Sequence, residues 1–98
     1  MKKIKKKSGE QPIIRTPNFI KLYVTNVRGG LTDQDFRFEL LNEQIEDEKG
    51  KWCYVSDGML ILSPAGAKRL SNLLKNCVET YEKENGTIDE QETRKRKV

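Results

Sequence analysis

Ser63, Gly66, Lys68 and Arg69 are the residues whose types and spacing come nearest to a chemical site in this chain. Ser63-Pro64 stops an apolar run, Met59 to Leu62, and starts a helix. The serine hydroxyl can accept from orphan amides of the first turn, and proline at the first helical position gives up an N–H that had no partner. Small Ala65 and Gly66 leave first-turn amides approachable, and the two cations follow within two turns, so this end could hold a phosphate or a carboxylate. Cations there oppose the helix dipole, and Glu79, Glu82 and Glu84 oppose it at the other end, each at a cost of about 0.3–1 kcal/mol when exposed. The ordinary alternative is a pair of surface side chains packing their stems over a sheet rim.

Other candidate chemistry is thinner. Asp33, Asp35, Glu46, Asp47 and Glu48 are carboxylate-rich, but they lack the spacing of a calcium loop and have no poised partner, so they read as solvated loop charge. Trp52 and Tyr54 beside Lys49 and Lys51 could stack bases, although a cross-strand packing pair or part of a dimer seam is the better account of them. Histidine is absent, which removes imidazole general-base chemistry and the commonest metal ligand. Cys53 and Cys77 stand far apart and fit no zinc spacing; they are expected to be reduced, buried thiols in a cytoplasmic protein. No catalytic residue, metal site or cofactor is indicated, and the chain is expected not to be an enzyme.

The elements that would position these residues are readable from periodicity. Phe19 to Val27 alternates as a first strand, with Ile20, Leu22 and Val24 on one face and Phe19, Tyr23 and Val27 on the other. Gly29-Gly30 is expected to break it, with Asn26 tying down the turn and Thr32-Asp33 opening the next turn through side-chain-to-backbone bonds. Asp35 to Leu41 is a second strand extending toward Ile45, with Phe36, Phe38 and Leu40 inward and Arg37 and Glu39 outward. Glu46 to Gly50 closes a hairpin, Gly50 taking the residue that needs positive φ. Lys51 to Leu62 is the third strand, bulged near Asp57-Gly58; the expected register sets Phe38 near Met59 and Ile45 near Trp52. A long helix follows, with Ala67, Leu70, Leu74, Cys77, Val78 and Tyr81 in one stripe and Leu73 widening it, until Asn85-Gly86 ends it.

The fold class is therefore α+β: a three-stranded antiparallel meander followed by one long C-terminal amphipathic helix. The domain is expected over 19–88, between a flexible basic arm, 1–18, and a flexible charged tail, 89–98. About seventy folded residues make a marginal monomer. One helix covers one face of a sheet, whereas the first and third strands look apolar on both faces. A second copy of the chain is the economical cover, so a homodimer is expected, with Tyr23, Val24, Leu60, Leu62, Leu70, Leu74, Cys77 and Val78 supplying core and seam. The competing arrangement folds the N-terminal arm back over the sheet of a monomer.

The helix segment also carries a resemblance. Ile61-Leu62-Ser63-Pro64, then Ala67-Lys68-Arg69-Leu70, then Asn76 followed by Tyr81-Glu82 and the exit Gly86-Thr87-Ile88, is similar to an uncharacterised prokaryotic family known as domain of unknown function 3467. Tyr23-Val24-Thr25-Asn26 and Asp35-Phe36-Arg37-Phe38 resemble that family's Tyr-x-x-Asn strand and acidic-Phe second strand. The likeness spans residues 19–88. The chain departs from the family pattern at Ala65-Gly66, where an acidic and a larger polar residue are expected, and in its long acidic loop between the second and third strands. The resemblance implies the fold and no mechanism.

Charge is distributed unevenly. Residues 1–18 hold six cations, Lys2, Lys3, Lys5, Lys6, Lys7 and Arg15, against Glu10. Residues 87–98 hold Arg94, Lys95, Arg96 and Lys97 against three acids, so within a total of +4 the segment 19–86 is left at −2. Basic arms can hold nucleic acid by counterion release, or can simply be solvated. No apolar run reaches membrane-spanning length, and Met1 to Lys7 lacks the apolar region of a signal peptide, so no membrane partner is expected. The expected role is a small non-catalytic binding or adaptor protein with a protein partner. The alternative is a nucleic-acid-associated accessory protein using the tails and the Lys68/Arg69 helix start.

Overall fold

The computed structural model describes residues 11–91 and, for the backbone alone, 95–97. Three antiparallel strands, β1 (Asn26–Leu31), β2 (Phe36–Glu46) and β3 (Trp52–Leu62), are followed by one helix, α1 (Pro64–Asn85). The sheet order is β1-β2-β3, and a short β4 (Lys95–Lys97) runs parallel to the end of β2. The expected α+β meander and C-terminal helix are present.

The first strand lies later than periodicity suggests. It occupies Asn26–Leu31, not Phe19 to Val27, because the tight turn that follows fixes its register. Leu31 pairs with Phe36 across that turn. The Thr32 hydroxyl accepts the amides of Gln34 and Asp35 at 3.1 and 3.0 Å, as the side-chain-to-backbone expectation required. Pairing then zips backward from Leu31↔Phe36 to Asn26↔Leu41. Gly29-Gly30 therefore sits inside the strand and does not break it. A Cβ on Gly29, whose φ is +155°, would lie 2.1 Å from the Arg37 carbonyl oxygen, so only glycine allows this approach. Upstream, Thr25 still bonds to β2, its amide reaching the Leu41 carbonyl at 2.9 Å.

The second hairpin follows expectation at its turn. Gly50 has φ +82°, and the Asp47 carboxylate accepts the amides of Lys49 and Lys51 at 2.9 and 2.8 Å. The register differs by one residue: Phe38 opposes Leu60, Glu39 opposes Met59, and Ile45 opposes Cys53. The pairing passes from Leu40↔Gly58 to Leu41↔Ser56, so Asp57 is the extra residue of the expected bulge. A second shift, between Leu41 and Gln44, re-aims the end of β2.

Helix α1 begins as its sequence dictates, with the Ser63 hydroxyl accepting the Gly66 amide and Pro64 in the first turn. It ends at Gly86, whose φ of 92° is positive as expected. Its ψ of 172° makes it an extended glycine turn, not a left-handed one. The Glu82 carbonyl takes the Gly86 amide and the Glu82 carboxylate takes the Ile88 amide at 3.0 Å, so this acid organises the helix exit despite the dipole. Within the segment expected as a flexible charged tail, 89–98, the described backbone of Lys95–Lys97 forms β4, whose register sets Lys97 opposite Glu46. Lysine and arginine are poor strand formers, and this pairing follows from an available β2 edge rather than from local propensity.

The described residues do not enclose an interior. Among the described residues Leu41, 3% exposed, is the one buried apolar side chain. Its burial contributes about 2–3 kcal/mol, against about 1–2 kcal/mol of backbone entropy for each residue ordered.

Candidate functional site

Phe36, Phe38 and Leu40 on β2, Leu60 and Leu62 on β3, and Val27 on β1 present one face of the sheet to the helix. Opposite stand Ala67, Leu70, Leu74 and Val78, the predicted stripe of α1. Sheet and helix do not close on each other. The helix meets the sheet through β3, and the two stand apart around a groove of about 650 Å³. Leu74 remains 52% exposed. Ser71, Lys75 and Glu79 supply its polar lining. A shallower depression lies alongside, formed by Cys77, Val78, Tyr81 and Ile88. Of the residues expected in core and seam, Leu60, Leu62, Leu70, Leu74 and Val78 line the groove, and Cys77 lines the depression; Cys77 and Cys53 are exposed, not buried as expected, because helix and sheet do not close over them. Tyr23 and Val24 precede β1 and are exposed.

The other sheet face is different in kind. The first strand is not apolar on both faces, since its true span carries Asn26, Arg28 and Gly30 away from the helix. The third strand keeps the expectation in part, with exposed Met59 and Ile61 there. Tyr54, near the bulged end, accepts a hydrogen bond from the Asn26 amide nitrogen at 3.1 Å, and the Arg28 guanidinium covers its ring at 4.8 Å from the centroid. Asn26 thus fastens β1 to β3 instead of tying down a glycine turn. The Tyr54 ring already has its stacking partner. The Ser56 hydroxyl donates to the Glu39 carboxylate on the same face.

The helix start is self-satisfied to a degree that sequence could not show. The Gly66 amide is bound by the Ser63 hydroxyl at 3.0 Å and the Ala67 amide by the Ser63 carbonyl at 2.8 Å. Lys68 and Arg69 are exposed on the following turn. Lys2, Lys3, Lys5, Lys6, Lys7 and Arg94 lie outside the described residues, and Lys95, Arg96 and Lys97 are described by backbone alone.

In the turn between β1 and β2, Asp35 forms an ion pair with Arg37. Asp35 accepts from Arg37 Nε at 3.0 Å and from the Thr32 hydroxyl at 2.9 Å. The Arg37 hydrogen bond, then that of Thr32, holds the Asp35 carboxyl below the usual carboxylate range, and Asp35 in turn raises Arg37. Folded Asp35 keeps its charge to lower pH than unfolded Asp35, so the contact's stabilisation is complete at neutral pH and fades as pH falls through the lowered value. A carboxyl-resolved NMR titration should place the Asp35 midpoint below that of an unfolded aspartate, and Arg37→Gln should raise it. An ordinary midpoint in the unsubstituted protein would contradict this pairing.

Among the described residues no group of three His, Cys, Asp or Glu side chains could hold a metal ion, and no helix is long and apolar enough to cross a membrane. A family model described as a protein of unknown function (DUF3467) matches residues 1–90. No curated protein and no solved structure matches the chain.

Proposed function

We propose that this chain, which belongs to the DUF3467 family, is a small non-catalytic binding or adaptor protein that works in the cytoplasm as a homodimer. The observation that carries the reading is the open groove. Its floor and its helical wall are both apolar and partly exposed, and a single chain has little else to bury. A surface of this kind is kept for another polypeptide, because leaving it in water forfeits most of the hydrophobic driving force. Support for a non-catalytic role comes from the lack of histidine and from the finding that, among the described residues, the groups with shifted titration, Asp35 and Arg37, are not part of the groove lining.

The basic arm supports a second reading, nucleic-acid association, since six cations in residues 1–18 would bind a polyanion independently of its sequence. The −2 balance of residues 19–86 opposes close approach of a duplex, and the Tyr54 ring is already covered by Arg28. Gel retardation with mixed-sequence DNA and RNA across a salt series separates the two. The adaptor reading expects no shift at low salt. A shift lost with added salt, and lost when Lys2, Lys3, Lys5, Lys6 and Lys7 are changed to Gln, would replace it with the nucleic-acid reading.

A further inference from the structure

We infer that the groove between sheet and helix is filled by α1 of a second copy, lying antiparallel to the first about a two-fold axis near Leu74 and Lys75. This rests on the homodimer reading and adds to it the surface, the direction and the register.

The edge of the helical stripe sets the direction and register of the second helix. At 3.6 residues per turn, Lys68, Lys75 and Glu82 fall seven apart on one flank of the line through Ala67, Leu74 and Val78. That flank is the groove side, where Lys75 and Glu79 form part of the lining. The flank is cationic in its first half and anionic in its second. Within one chain Lys68 and Glu82 are fourteen residues, about 21 Å, apart and do not meet. A parallel partner would set lysine beside lysine and glutamate beside glutamate. An antiparallel partner, turned about the midpoint of Lys68 and Glu82, sets each Lys68 beside the other copy's Glu82, twice over by symmetry. Glu79 then lies one turn from the central pair of lysines. The charge order that opposes the helix's own dipole is the order that complements a reversed neighbour, whose dipole is reversed too.

The apolar part fits the same occupant. The groove needs an amphipathic element with a narrow apolar stripe, and α1 carries one over 22 residues, with Leu73, Leu74, Val78 and Tyr81 exposed. In a two-fold arrangement the same residues serve as knob in one copy and wall in the other, so one groove and one helix per chain satisfy both copies.

Sedimentation equilibrium of the full chain and three variants tests the proposal. Lys68→Glu alone and Glu82→Lys alone should each weaken the dimer about tenfold, through two lost attractions and two new repulsions. The double variant, carrying both exchanges in one chain, should return to within about threefold of the original Kd at equal helix content by circular dichroism. Comparison of the double variant with Glu82→Lys removes the separate effect of losing the Ile88 bond. A dimer indifferent to Lys68→Glu, or a double variant no tighter than the weaker single, overturns the antiparallel register while leaving the homodimer standing. A monomer in the unsubstituted protein overturns both.

Discussion

Gly29→Ala should lower the unfolding free energy by about 3 kcal/mol, while Gly30→Ala, one residue on, should change it by less than about 1 kcal/mol. A methyl on Gly29 would sit 2.1 Å from the Arg37 carbonyl oxygen and 3.0 Å from Phe38 Cα, both backbone atoms of the paired strand. Neither can move without opening the β1–β2 ladder, and a φ of +155° adds strain that an L side chain rarely accepts. Around Gly30 nothing lies within 4 Å of the same added atom. Urea unfolding of the two variants reads the difference directly. Equal effects, or a tolerated Gly29→Ala, would show that β1 does not approach β2 as described.

The second large effect concerns association. Leu74→Asp should weaken self-association by more than about a hundredfold, because two carboxylates would be carried into an apolar seam with no partner, each at several kcal/mol. In the isolated chain Leu74 is 52% exposed, so a protein that works as a monomer would tolerate the change to within about 1 kcal/mol. Size-exclusion chromatography over a concentration series, with circular dichroism as a control for folding, distinguishes these outcomes. A variant that keeps its fold and its original elution would place the seam elsewhere.

Much of the architecture was legible because its determinants are local. Ser63-Pro64 marks the helix start, Gly50 the hairpin, and the alternation Phe36, Phe38, Leu40 the inner face, each through chemistry confined to a few residues. The first strand is Asn26–Leu31 although Phe19 to Val27 is the better strand by propensity. The Thr32–Asp35 turn, a four-residue hydrogen-bond pattern, instead chooses which residues pair. Gly29 looked like a breaker, since sequence cannot separate a glycine that interrupts a strand from one that admits a close neighbour. β4 is illegible for a related reason: Lys95–Lys97 owes its strand to the edge it meets. The open groove was legible only in part. The stripe of α1 announced an apolar face, but its standing away from the sheet depends on the angle at the β3–α1 junction, which no pattern encodes. The same stripe carried the charge order of Lys68, Lys75 and Glu82, which first looked like a helix opposing its own dipole.

One chain being half of a closed structure is the central claim. Sedimentation equilibrium of the unsubstituted full chain at micromolar concentration is its most direct test. The predicted result is a particle of twice the 11.4 kDa chain mass, dissociating on dilution. A single-copy mass that holds across the concentration range, in a protein that unfolds cooperatively, would contradict it.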